Sequence, residues 1–155
     1  MSNRESSHAA SMSEVGYAGD VGAKESWERL SRDQAAQLID VRTLAEWNFV
    51  GIPDLGPLKR QALLCQWQLF PSAANADFVE EAITALKGTT YRREAPLFFL
   101  CRSGARSRAA AIAMTAACYG PCFNIADGFE GALDKTRHRG TVGGWKACGL
   151  PWVQT

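Results

Sequence analysis

The residues of this chain best equipped for chemistry sit in one short run, Cys101-Arg102-Ser103-Gly104-Ala105-Arg106-Ser107. It combines a thiol, two guanidinium groups and two hydroxyls with a glycine, which lets a backbone turn sharply and approach a ligand closely. A cysteine is nucleophilic as its thiolate, and positive charge or backbone N–H groups around the sulfur favour that form. The chemistry to expect is attack by sulfur on an electrophile, with an anionic group held beside it. A plainer reading makes Cys101 a small thiol ending a buried strand. That reading leaves two arginines, a glycine and two serines within the next six positions unexplained.

What must position this run is legible on either side of it. Leu97-Phe98-Phe99-Leu100, opened by Pro96, is apolar on both faces, as a central parallel strand is. Residues 106–119 are rich in alanine and read as a helix that Gly120-Pro121 stops. A strand running through a short polar loop into a helix puts that loop beyond the carboxyl end of the strand, where open α/β sheets bind ligands. Cys101, the first residue off the strand, would face loop amides and the positive end of a helix dipole. That setting predicts a thiolate, with Arg102 and Arg106 adding positive charge at the mouth. Ser103 and Ser107 would supply hydroxyl donors, and Ser107 is also placed to cap the helix.

The remaining segments supply the layers around the loop. Residues 1–22 are small and polar with little to bury, and read as a flexible arm ahead of a single domain, 23–155. Residues 24–30 read as a helix and the apolar run 36–41 as a buried strand, after which Thr43 caps a short helix through Trp47. Residues 51–57 are a loop, 61–70 a strand, and a helix runs from Asn75 or Asp77 to Leu86, ended by Gly88. Residues 122–125 form another short strand ahead of a turn-rich tail. Strands alternating with helices predict an α/β fold, an open, mostly parallel sheet with helices on both faces.

Composition excludes several functions. Lys and Arg number 17 against 16 Asp and Glu, so there is no basic field for nucleic acid. No apolar stretch approaches the roughly 20 residues of a membrane span, and the first 22 residues have no apolar leader core, so cytoplasmic residence is expected. The five cysteines, Cys65, Cys101, Cys118, Cys122 and Cys148, show no paired spacing, as suits reduced thiols. Two thiols at 118 and 122 without further ligands do not make a zinc site. No metal and no organic cofactor is expected, and the four cysteines other than Cys101 are expected to fill core.

The pattern Cys-Arg-Ser-Gly-x-Arg-Ser at 101–107, after an apolar strand, resembles the active-site loop of the rhodanese family. Two further elements match in order. Leu38-Ile39-Asp40-Val41-Arg42-Thr43, followed by Glu46-Trp47, is similar to that family's Asp-x-Arg strand end. Gly128-Phe129-Glu130-Gly131, with Gly144-Trp145-Lys146 and Gly149-Leu150-Pro151, resembles its glycine-rich turn and closing tail. The resemblance spans roughly residues 26–154. It implies a rhodanese-like fold and a sulfurtransferase in which Cys101 takes a sulfane sulfur from thiosulfate or a persulfide donor. The sulfur then passes to a thiophilic acceptor. The alternative it leaves is a sulfur-carrier or protein-interaction module with little thiosulfate turnover. The implied partners are a small sulfur donor and a protein persulfide donor or acceptor, with no nucleic acid and no membrane.

Within the resemblance, phosphatases of the same fold carry five residues between Cys and Arg; here there are four, Arg102 to Ala105, which suits a single sulfur. Where many rhodanese domains read His-Ile-Pro-Gly-Ala, this chain reads Val50-Gly51-Ile52-Pro53-Asp54, so no general base carries over. Residues 132–143 look like an insertion. Asp40 and Arg42 have two readings: a pair bracing the Cys101 loop through its amides or Arg106, or a surface ion pair worth about 0–1 kcal/mol. Bracing is the expectation, because Asp40 ends an apolar strand at the same sheet edge as the loop.

Overall fold

The computed structural model describes residues 16–69 and 73–154. Five strands form the main sheet: β1 (Gly19–Val21), β2 (Gln37–Asp40), β4 (Leu63–Leu64), β7 (Leu97–Leu100) and β8 (Cys122–Ile125). Their order is β1-β8-β7-β2-β4, and every neighbouring pair is parallel. Two short antiparallel ribbons lie outside it: β3 (Ile52–Pro53) with β9 (Trp152–Val153), and β5 (Gln68–Leu69) with β6 (Ala73–Ala74). The helices are α1 (Ala23–Arg32), α2 (Leu44–Val50), α3 (Phe78–Lys87) and α4 (Ala105–Ala116).

Because successive strand residues point to opposite faces, β2 and β7 feed two cores. Ile39, Leu97 and Phe99 pack with Phe78, Ala82 and Leu86 of α3 and with Ala110, Ala111 and Met114 of α4. Leu38, Phe98 and Leu100 pack on the other face with Ala23 and Leu30 of α1 and with Phe129 and Trp145. The sheet is thus flanked by helices on both faces, as the alternation of elements predicts. β7 is the middle strand and is buried throughout.

Two segments differ from expectation. Gly19–Val21 does not belong to a loose arm. It pairs in register with Phe123, Asn124 and Ile125 as an edge strand, while Tyr17 and Ala18 are buried beside it. The part of the arm at residues 1–15 lies outside the described residues. Nor is 61–70 one strand: only Leu63–Leu64 joins the sheet. Cys65 N–H and Trp67 N–H go on to donate to the carbonyls of Asp40 and Val41, and the chain then turns away into β5.

Candidate active site

β7 ends at Leu100 and α4 begins at Ala105, so residues 101–104 bridge them at the carboxyl edge of the sheet. Gly104 takes φ +114, and a Cβ there would stand 2.5 Å from the Ala126 carbonyl oxygen. Only glycine lets the loop lie against the chain leaving β8. Gly128, at φ +68, is equally constrained, since a Cβ would collide with the Arg102 carbonyl. The turn after β8 also grips the loop directly. Phe129 N–H donates to the Cys101 carbonyl at 2.8 Å, and the amides of Glu130 and Gly131 donate to the Arg102 carbonyl at 3.0 and 3.1 Å.

Cys101 is 1% exposed. Its Sγ accepts from Gly104 N–H at 3.1 Å and stands 3.1 Å from Ser107 Oγ. Ser107, also fully buried, does not cap α4; Gly104 occupies the N-cap and no side chain caps this helix. Its hydroxyl instead donates to Asn124 Oδ1 at 2.5 Å. Asn124 Nδ2 donates to Asp20 Oδ1 at 3.1 Å, and the same oxygen accepts from Tyr17 OH at 2.8 Å. A line of hydrogen bonds therefore runs from the buried thiol to the exposed edge strand.

The other loop residues divide sharply. Arg102, Ser103 and Ala105 are exposed, and Arg102 forms no ion pair among the described residues. Arg106 does not face outward with it. Its Nη1 and Nη2 donate to the two carboxylate oxygens of Glu46 at 2.6 and 2.9 Å, tying α4 to α2. Burial opposes charge on Glu46, but the Arg106 hydrogen bonds and the Thr43 amide outweigh it and hold the carboxyl at about 2. Arg106 is correspondingly raised, chiefly by its bonds to Glu46 against burial. Glu46 is itself placed by a capping box: Thr43 Oγ1 accepts from its amide, and its carboxylate accepts from Thr43 N–H.

Asp40 and Arg42 correct both readings made of them. The pair is fully buried, not superficial, and Asp40 bonds neither loop amides nor Arg106. Its carboxylate accepts from Arg42 N–H, Nε and Nη2, the last at 2.7 Å, because residues two apart on an extended chain share a face. Arg42 also donates to the Gly51 carbonyl at 2.8 Å and lies 4.1 Å from the Phe129 ring centroid. The Arg42 side chain reaches the loop through Phe129, whose N–H holds the Cys101 carbonyl.

Among the remaining cysteines, Cys65 and Cys122 are buried, and burial pushes each thiol up to about 11. Cys118 and Cys148 are exposed and do not fill core, since each falls in a turn, after α4 and in the tail respectively. A cleft of about 530 Å3 lined by Leu64, Cys65, Glu80 and Glu81 lies apart from the loop, and Cys101 does not line it. No helix among the described residues is long and apolar enough to cross a membrane. Sequence reasoning missed Asn124 and Asp20. The available signal was a polar residue inside the buried strand Cys122-Phe123-Asn124-Ile125.

Residues 18–155 match the family described as STR4 middle domain. The uncharacterized protein RP600 homolog of Rickettsia rickettsii is 39% identical over 134 residues, covering 86% of this chain and 95% of that protein. An uncharacterized protein in the dnaA 5' region of Rickettsia montanensis is 38% identical with the same coverage. Among solved structures, that of Rv0390 from M. tuberculosis is similar with a TM-score of 0.79. It is 45% identical and covers 90% of this chain and 99% of its own.

Proposed function

The chain belongs to the STR4 middle domain family, and from that premise together with the geometry of its cysteine loop we propose that it is a rhodanese-like sulfurtransferase. The observation that carries this reading is the placement of Cys101 Sγ. It sits at the carboxyl end of the central strand, under the Gly104 amide and at the start of α4, next in sequence to the exposed Arg102, which forms no ion pair among the described residues. The Gly104 amide and the helix N-terminus stabilise an anionic sulfur and a departing anion.

In the reaction proposed, the Cys101 thiolate attacks the outer sulfur of thiosulfate. The new sulfur–sulfur bond forms as the donor's own breaks, and sulfite leaves with the electron pair. A thiophilic acceptor then attacks the terminal sulfur of the persulfide and returns Cys101 as thiolate. Arg102 meets the anionic donor, Gly104 supplies its amide, and Ser103 stands exposed at the mouth. The reaction calls for no metal or organic cofactor, and the expected setting is the cytoplasm.

Burial of Cys101 at 1% exposure favours a second reading, in which a protein persulfide donor opens the loop on docking and thiosulfate serves poorly. Intact mass separates the two. Thiosulfate is expected to add the mass of one sulfur atom, which cyanide removes as thiocyanate, and Cys101→Ser abolishes both steps. Loading by a protein persulfide but not by thiosulfate selects the carrier reading. Full turnover by Cys101→Ser overturns both.

A further inference from the structure

A serine hydroxyl has one hydrogen to donate, and the surroundings of Ser107 determine where it points. Asp20 stands directly opposite Asn124 in the β1–β8 register, and its Oδ1 accepts from Asn124 Nδ2 and from Tyr17 OH. A carboxylate oxygen only accepts, so the Asn124 amide must turn its nitrogen toward Asp20 and its oxygen inward. The reverse orientation would set two acceptor oxygens against each other. The inward Oδ1 takes the Ser107 hydrogen at 2.5 Å. What Ser107 then offers Cys101, 3.1 Å away, is a lone pair, so the S–H must be the donor. Ser107 and Asn124 are 0% and 3% exposed, which keeps water from supplying a substitute hydrogen.

In this arrangement Ser107 offers the sulfur an acceptor and no donor. Gly104 N–H alone among these contacts serves the anion. For a second donor, Ser107 must turn its hydrogen from Asn124 to sulfur and leave a buried amide oxygen unpartnered, which is costly. We propose that Asn124, oriented by Asp20 on the edge strand, is a positioning residue that holds Cys101 as a thiol until Ser107 turns. The inference rests on Cys101 being the nucleophile. The other charged groups on the elements around the loop are Arg102, Arg108, Asp127, Glu130, the Arg106–Glu46 pair and the Asp40–Arg42 pair. Of these only Arg108 joins the line, at its outer end, where its Nε donates to Tyr17 OH at 3.3 Å.

The test uses Asp20→Asn, a conservative change at an exposed position. An amide at residue 20 can donate to Asn124 Oδ1, which lets Asn124 turn its nitrogen to Ser107 and lets Ser107 donate to sulfur. At one fixed, near-neutral pH, Cys101 alkylation by iodoacetamide is expected to rise roughly tenfold, the effect of one hydrogen bond to an anion. The ultraviolet thiolate absorbance, read against a Cys101→Ser blank, should rise with it. In a Ser107→Ala background the same Asp20 change should move neither signal. Asparagine at 20 can also go on accepting from Asn124 through its amide oxygen, so Asn124→Ala, which removes the acceptor of the Ser107 hydrogen, is measured beside it. No rise in either variant, or an equal rise in both backgrounds as simple loss of negative charge would give, overturns the proposal. Neither measurement uses a sulfur donor. A protein that takes up no sulfur yet responds to Asp20→Asn therefore refutes the sulfurtransferase reading alone. One that takes up sulfur but does not respond refutes the positioning role alone.

Discussion

Arg102 and Arg106 carry the same charge in one loop but meet different surroundings, and their removal should read differently. Arg102 is exposed and unpaired among the described residues, so Arg102→Ala is expected to raise the KM for thiosulfate about tenfold or more. Its denaturation midpoint should hardly move. Arg106 is held bidentately by Glu46, and Arg106→Ala would strip a half-buried carboxylate of its partner. That variant is expected to lose about 1–3 kcal/mol of stability, measured by urea unfolding, before any effect on donor capture is counted. Steady-state kinetics and unfolding on both variants decide the matter. The reverse pattern would show that Arg106, not Arg102, meets the donor.

At the scale of elements, β1 is short but joins the sheet to the loop chemistry. It covers the edge of β8, brings Tyr17, Ala18 and Val21 to 5%, 8% and 8% exposure, and carries Asp20. Deleting residues 1–22 would uncover β8 and forfeit burial of the Tyr17 and Val21 side chains. The expected cost is about 3–6 kcal/mol at the usual value for burying large apolar groups. A lower urea midpoint in the truncated chain checks this, and an unchanged midpoint would return β1 to the status of an arm. α2 contributes in another way: one carboxylate, Glu46, closes its capping box and clamps α4, so the start of α2 and the cysteine loop are fixed by the same group.

For the molecule as a whole, positive and negative side chains nearly balance, so individual pairs govern how stability responds to acid. Glu46 is the clearest case, its carboxyl lying at about 2 in the fold against an ordinary 4.5. A depressed carboxyl means that the unfolded chain binds the proton more readily, so the contribution is complete above about pH 4.5. It falls away as pH drops toward 2. Glu46→Gln is therefore expected to be less stable than the natural protein at pH 7 and to differ much less near the low end of that window. Urea midpoints of both proteins at neutral and acidic pH test this, and a gap that stays constant with pH would remove Glu46 as the titrating group.

The local parts of this protein are legible in its residues alone. An apolar run, a polar turn with Gly104 and an alanine-rich segment define β7, the loop and α4, and they put Cys101 at the join, because period, turn residues and helix stops act between near neighbours. Thr43 and Glu46 likewise announce their own cap. What each polar side chain bonds is set by the packing of distant segments. Arg106 meets Glu46 across 60 residues, and Asn124 meets Asp20 across 104, through a strand pairing that three residues of β1 do not signal. Asp40, expected at the loop, is claimed by Arg42 because nearer donors of good geometry were available once both were buried. A hydrogen bond's partner depends on the register and facing of segments distant in sequence, and a chain read residue by residue does not contain that register until its strands have paired.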